Sequence, residues 1–291
     1  MVIYVAATLL AWCRDRLAEG GATASLVWLL DVGAGLERKR YYSLALHPQA
    51  TIELSRDLDE LTRLWHRHLN HAPLQYLLGR CPWRDFMLAV APGVLIPRPE
   101  TELLADVAIS LMDDAPAGSG GLWADLGTGS GCLALALATA FPDCHGVAVD
   151  QDPTALAVAA RNLESVAGRV RLLAGNWWQP LQPWWGRLTM VVSNPPYIPT
   201  STLARLEPVV RCHEPHPALD GGPDGLACFR TLLAGVSALA PGGWLVVEHG
   251  QGQAPDLEPL FATAGLTAVR RHQDLEGNDR FLAACAPHHW P

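Results

Sequence analysis

From residue 122 onward, short apolar runs alternate with helix-length stretches, and the first run ends in a glycine-rich turn. Leu122-Trp123-Ala124-Asp125-Leu126 reads as a strand and Cys132 to Ala140 as a helix. Gly146-Val147-Ala148-Val149 is a strand ending in Asp150, and Pro153 to Ser165 a helix. Val170 to Leu173 and Leu188 to Val192 are further strands. Cys228 to Leu239 reads as a helix, Trp244 to Glu248 as a strand, and Leu266 to Arg270 with Phe281 to Cys285 as two last strands. Continuous apolar strands alternating with helices imply a mostly parallel sheet covered on both faces, an α/β fold.

Composition limits what such a fold does. Of 291 residues 49% are hydrophobic and 17% charged, enough to bury a full core. A net charge of -8 argues against a chain whose main task is gripping nucleic acid through phosphates. Seven cysteines form no C-x-x-C pair, which reads as neither a disulfide framework nor a zinc ribbon but as a reducing cytosol. Met1 to Trp12 is apolar but has no positive leader, and Arg14-Asp15-Arg16 follows at once, so it reads as the first turns of an amphipathic helix. No apolar run reaches the ~18–20 residues of a membrane span.

Three regions are expected: 1–76 helical, 77–99 a hairpin linker, and 100–291 the α/β domain. Leu26 to Leu30 and Leu58, Leu61, Leu64, Trp65, Leu69 recur at helical spacing, and Ser55 or Asp57 can cap the second of these helices. His66, His68 and His71 lack a carboxylate or Cys at ligand spacing and read as a solvated helix face. Trp83 to Val90 and Val94 to Ile96 read as two strands around the turn Ala91-Pro92-Gly93. Thr101 is the expected N-cap of a helix from Leu103 to Met112, and Ala115 to Gly121 a loop.

Asp125-Leu126-Gly127-Thr128-Gly129-Ser130-Gly131 lies between strand and helix. Glycines there permit a tight turn and close approach of a ligand to the backbone. Asp150, at the end of the next strand, can accept hydrogen bonds from two vicinal ribose hydroxyls. The spacing is G-x-G-x-G, not the G-x-G-x-x-G of dinucleotide sites. It is the pattern of enzymes using S-adenosyl-L-methionine. That ligand has no phosphate but carries an ammonium and a sulfonium, so an acid beside the loop makes electrostatic sense.

Val191-Val192-Ser193-Asn194-Pro195-Pro196-Tyr197 follows a strand. Two prolines cannot continue a central strand, so the chain leaves the sheet at Asn194. Asn-Pro turns are common. Here, however, the prolines stiffen the bend and leave carbonyls free as acceptors beside the cofactor. A planar –C(=X)–NH2 group has a delocalised, poorly nucleophilic nitrogen. The Asn194 carbonyl can accept one of its N–H bonds and the Pro195 carbonyl the other, while the Asn194 NH2 donates to the acceptor's own oxygen or ring nitrogen. The nitrogen is thereby held in line with a methyl carbon. Tyr197 can stack on the flat group, and no strong general base is evident.

With these residues in view, the chain resembles the class I methyltransferases that methylate glutamine in peptide chain release factors. The resemblance runs from about Gln75 to Cys285. It rests on Gln75-Tyr76-Leu77-Leu78-Gly79, Ile96-Pro97-Arg98-Pro99-Glu100-Thr101-Glu102, Asp125 to Gly131 and Ser193 to Tyr197. Glu214-Pro215, Ala218-Leu219-Asp220-Gly221-Gly222, Asp224-Gly225-Leu226 and Glu248-His249-Gly250 complete it. The resemblance implies a Rossmann-like sheet after a small helical domain that helps grip the release factor, and an acceptor glutamine in a Gly-Gly-Gln motif. It implies that Gly127, Thr128, Gly129, Ser130, Gly131, Asp150, Trp177 and Asn194 hold S-adenosyl-L-methionine, with Trp177 beside the adenine. Asn194, Pro195, Pro196 and Tyr197 bind the glutamine amide. One departure is visible: Asn176 stands where the family usually has Asp before the Trp, so an acceptor for the adenine amino group remains without its charge. Glu214, Asp220 and Asp224 read equally as loop-capping acids or as parts of a lid.

The expected protein is a cytoplasmic monomer acting on class 1 release factors, without metal, DNA or membrane. Asn-Pro-Pro-Tyr is shared with adenine-N6 DNA methyltransferases, but the acidic balance and the lack of a basic target-recognition domain count against that alternative. A non-catalytic S-adenosyl-L-methionine-binding module is the third reading, and the intact Asn-Pro-Pro-Tyr bend speaks against it.

Overall fold

The computed structural model describes residues 1–113 and 121–289. The chain divides into two compact units, one of 1–80 with 208–213, the other of 81–207 with 214–291. Apart from Gly121, the loop expected over Ala115 to Gly121 lies outside the described residues.

In the first unit β1 (Val2–Val5) pairs antiparallel with β2 (Thr51–Leu54), in register Val2 to Leu54 and Val5 to Thr51. The expectation of a helix from Met1 is corrected here. Val2, Ile3 and Val5 are β-branched, and an antiparallel partner at Thr51–Leu54 takes up their backbone groups, so helix begins only at Ala6. Helices α1 (Ala6–Ala18), α2 (Thr23–Ala34), α3 (Arg38–Ser43), α4 (Leu58–Leu69) and α5 (Leu74–Leu78) follow. Of the two candidate caps Asp57 acts, accepting from the Glu60 N–H at 2.7 Å. Leu9, Leu26, Leu29, Leu30, Leu61 and Trp65 form the core of this unit. The Trp65 indole N–H is satisfied by the Arg16 carbonyl at 3.1 Å. His66 pairs with Glu19, and among the described residues no group of His, Cys, Asp or Glu could hold a metal ion.

The hairpin falls earlier than its apolar pattern suggests. β3 (Arg80–Trp83) pairs with β4 (Phe86–Ala89) around Arg84-Asp85, and Val94 to Ile96 is not a strand. Arg84 turns with a positive φ of 50°, and its N–H and guanidinium are tied to Glu102. That anchoring is tertiary and favours a turn where residue type alone does not.

The second unit is a seven-stranded sheet in the order β10-β11-β9-β8-β5-β6-β7. Its strands are β5 (Leu122–Leu126), β6 (His145–Asp150), β7 (Val170–Ala174), β8 (Leu188–Ser193), β9 (Leu239–Glu248), β10 (Thr267–Gln273) and β11 (Asp279–Cys285). β7, β6, β5, β8 and β9 run parallel, and β11 and β10 close one edge antiparallel. Strand periodicity divides the core. Trp123, Ala148, Met190, Val192 and Val246 face a layer with α6 (Glu100–Asp113), α7 (Cys132–Ala140) and α8 (Pro153–Asn162). Ala124, Leu126, Val147, Val149, Val191 and Val247 face the helices Ala227–Leu233 and Ala254–Thr263. Gly146 leaves room for an indole: a Cβ there would lie 2.1 Å from the Trp123 ring.

Several boundaries differ from expectation. Helix α6 starts at Glu100, so Thr101 lies within the first turn and its hydroxyl goes elsewhere instead of capping. Helix α8 ends at Asn162. The stretch expected as one helix from Cys228 to Leu239 ends at Leu233, where Gly235 packs so closely on Trp178 that a Cβ would come within 2.3 Å, and β9 begins at Leu239. The helix Ala254–Thr263 was not expected. Its pattern is masked by Pro255 near its start and Pro259 within it. All seven cysteines are free, and among the described residues no helix is long and apolar enough to cross a membrane.

Candidate active site

Strand β5 has β6 on one side and β8 on the other, so the chain order reverses there. In open α/β sheets the crevice at the carboxyl ends of such strands is the place for a ligand. The glycine loop leaves β5 and the Asn194 bend leaves β8, so both open onto this point. A cleft enclosing about 1040 Å³, including space open to solvent, runs over it. Gly127, Thr128, Gly129, Ser130, Asp150, Asn176, Trp177, Asn194 and Pro196 line it, whereas Gly131, Pro195 and Tyr197 do not.

Main-chain contacts set the loop. The N–H groups of Gly127 and Thr128 both donate to the Val149 carbonyl at 2.9 Å. The Gly129 N–H donates to Asp150 Oδ2 at 2.9 Å, and Asp152 N–H to its Oδ1 at 2.9 Å. Gly127, Gly129 and Gly131 have φ of 74°, 54° and 81°, the left-handed region that L side chains avoid. Asp125 sits behind the loop, fully buried. Its Oδ2 accepts from Thr128 Oγ1 at 2.6 Å and Ala134 N–H at 3.2 Å, while Oδ1 has no partner. Burial pushes this carboxyl up to about 7.

The paired tryptophans separate. Trp177, at a φ of 49°, lines the cleft near Gly127; Trp178 is buried and donates its indole N–H to the Leu232 carbonyl at 3.0 Å. Asn176 lines the cleft beside Trp177.

Side chains from distant elements hold the second wall. Asn194 Nδ2 donates to Thr101 Oγ1 at 3.0 Å, and Thr101 donates to Glu248 Oε2 at 2.7 Å. The other oxygen of Glu248 accepts from the Tyr197 hydroxyl at 3.2 Å. Arg280 donates to the same hydroxyl at 3.4 Å, its guanidinium 5.7 Å from the ring centre. Gln253 Nε2 donates to the Tyr197 carbonyl at 3.0 Å. Burial is the main reason that both the Glu248 carboxyl and the Tyr197 phenol are pushed above their ordinary ranges. Motif reading missed the parts of Thr101, Gln253, Glu248 and Arg280 here. The only signal was that Thr101 and Glu248 sit in motifs carrying the resemblance.

The loop acids also find places. Asp220 accepts from Thr200 Oγ1 at 2.6 Å and Gly222 N–H at 2.9 Å, and Asp224 accepts from Leu226 N–H at 3.1 Å and pairs with Arg230. Both cap loops. Glu214 is buried and pairs with Arg98 of the cleft wall at 2.6 Å.

Comparison with known proteins agrees with this architecture. The family model Methyltransferase small domain matches residues 104–205. Release factor glutamine methyltransferase of Prochlorococcus marinus is 44% identical over 288 residues, 98% of each chain. Its Synechocystis namesake is 41% identical over 276 residues, 92% of this chain and 91% of that one. The crystal structure of a methyltransferase from Pyrococcus furiosus aligns with a TM-score of 0.52 at 17% identity, over 78% of this chain and 99% of that one, a likeness of fold. The chain therefore belongs to the release factor glutamine methyltransferases.

Proposed function

We propose that this enzyme transfers the methyl group of S-adenosyl-L-methionine to the side-chain amide nitrogen of the glutamine in the Gly-Gly-Gln motif of class 1 peptide chain release factors. The observation that carries the reading is the stiff bend after β8, which sets the Asn194 carboxamide in the cleft wall with its NH2 held by Thr101. The Asn194 carbonyl accepts one N–H bond of the substrate amide, and the other is assigned to the carbonyl of Pro195, which does not itself line the cleft but stands between the lining residues Asn194 and Pro196. Accepting both protons raises electron density on a nitrogen whose lone pair is otherwise spread into its carbonyl, and aims that lone pair into the cleft. Asn194 Nδ2 has a second N–H for the glutamine oxygen.

The cradle fits the cofactor in three ways. The glycine loop admits a ligand against bare backbone, Asp150 keeps acceptor capacity for ribose hydroxyls, and Trp177 offers an apolar face in the cleft. Asp125 supplies a buried carboxyl oxygen without a partner behind the loop. When bound, the cofactor would supply an electrophilic methyl group, whose bonding electron pair stays on sulfur. Asn194 would hold the amide nitrogen that takes the methyl, and the nitrogen's displaced proton would leave to solvent.

We assign residues 1–76 to gripping the release factor, 77–99 to a linker and 100–291 to methyl transfer, in a cytoplasmic monomer that needs neither DNA nor membrane. A net charge of -8 and kinship at 44% identity both weigh against a DNA adenine methyltransferase. The test is mass spectrometry of release-factor peptides after incubation with enzyme and cofactor. One added methyl on the Gly-Gly-Gln glutamine is expected; methyl incorporation that survives replacement of that glutamine would reject the assignment.

A further inference from the structure

An asparagine carboxamide works in a site only if it faces the right way, because its oxygen accepts and its nitrogen donates. The two orientations have nearly the same shape, so packing alone does not choose between them. At Asn194 the choice is made by a directional chain of hydrogen bonds. Glu248 is 0% exposed and Thr101 3% exposed, so each finds its partners within the protein. Arg280 beside Glu248 opposes the upward push of burial, and as a carboxylate Glu248 only accepts. The single proton of the Thr101 hydroxyl therefore goes to Glu248 Oε2, at 2.7 Å. With that proton committed, Thr101 Oγ1 offers only lone pairs to Asn194, and the group it faces at 3.0 Å must be the NH2. The carbonyl oxygen of Asn194 is thereby turned away from Thr101.

We propose that Thr101 and Glu248 are positioning residues that fix the orientation of the Asn194 carboxamide and so decide that its oxygen, not its nitrogen, meets the substrate N–H. The inference rests on the amide-binding role given above to Asn194. The same carboxylate steadies the far end of the bend. Its Oε1 accepts the Tyr197 hydroxyl at 3.2 Å, so one buried acid braces both terminal residues of Asn194-Pro195-Pro196-Tyr197. Two donors, Thr101 and Tyr197, thus converge on one side chain that has only acceptors. Arg280, which also reaches the Tyr197 hydroxyl, places a positive group beside this acid.

Two near-isosteric variants separate orientation from stability. In Thr101→Val the hydroxyl is gone and the Asn194 amide is free to turn over. In Glu248→Gln only one acceptor oxygen remains for two donors. When the Gln NH2 faces Thr101, the threonine proton turns toward Asn194 and demands its oxygen. Methyl transfer to a purified class 1 release factor is measured beside cofactor affinity by calorimetry. Loss of a supporting partner that orients a group in the site lowers activity by ~10–100-fold. We expect a kcat loss of that size in Thr101→Val and a smaller one in Glu248→Gln. The Kd for S-adenosyl-L-methionine should stay within about threefold of wild type, and Thr101→Ser should regain most of the rate because it restores the hydroxyl. Two results overturn the inference: wild-type kcat in either variant, or a rate loss matched by loss of cofactor binding and not rescued by serine. Wild-type enzyme that leaves the release factor unmethylated would instead remove the functional reading on which the inference stands.

Discussion

Two turns meet at the carboxyl edge of the sheet, and they are built in opposite ways. The loop after β5 is held mainly through its own backbone N–H groups, which reach the Val149 carbonyl and the Asp150 carboxylate. Gly127, Thr128 and Gly129 direct their N–H groups at the end of β6, and three glycines supply the positive φ that the path requires. The bend after β8 has prolines in place of donors, so its backbone cannot hold it in that way. Side chains from elsewhere in the chain hold it instead: Thr101 from α6, Glu248 from β9, Arg280 from β11 and Gln253 before the helix Ala254–Thr263. Backbone contacts leave a cradle free for a ligand. Side-chain contacts leave a functional group pointed in one direction. The first suits binding and the second suits chemistry.

The comparison is broken most directly at Asn194. Asn194→Ala removes the oriented amide, and turnover should fall by ~100–1,000-fold. Cofactor affinity by calorimetry should fall far less, since the glycine loop and Asp150 are untouched although Asn194 lines the cleft. A large loss of cofactor binding in this variant would mean that the division between the turns is wrong. The converse variant is Asp150→Ala. It removes the acceptor for Gly129 and Asp152 N–H groups and the one assigned to the ribose. Loss of charge-assisted hydrogen bonds worth ~1.5–3 kcal/mol should weaken cofactor binding by ~10–100-fold. The rate at saturating cofactor should fall far less.

A third effect concerns Asp125, behind the loop, and is read in stability and not in rate. Its carboxyl is pushed by burial from 3.8 to about 7, so the folded chain keeps a proton that the unfolded chain has released between those values. Stability from this group is present below the lower value and is lost as pH rises through the upper one. Urea unfolding at pH 4.5 and pH 7.5 should therefore show the wild type losing ground to Asp125→Asn, by about 3 kcal/mol. An equal difference at both pH values would show that the carboxyl is ionised throughout.

How much of the site was legible follows the same division. Asp125, the glycines and Asp150 could be found from spacing because a loop held by its own backbone keeps its signals within one short stretch. The Asn194 bend was legible for a different local reason, since two prolines force the chain out of the sheet. Thr101 was read as a helix cap because a threonine before a helix usually serves there. It was misread because its real partner, Glu248, is 147 residues away. The strand at Val2–Val5 escaped for the same cause, its pairing partner lying at Thr51–Leu54. The hairpin slipped because Glu102, far along the chain, anchors Arg84.

Residue order alone determined the alternation of strands and helices, the parallel sheet they imply, and the two turns that carry chemistry. Those depend on φ restrictions and periodicity, which act over a few residues. Only the tertiary structure decided where Trp178, the other tryptophan of the adjacent pair, is buried, which acids cap loops, and which way the Asn194 amide faces. Each of these depends on partners brought together by burial. In a water-free interior a donor must find its acceptor wherever in the chain that acceptor lies.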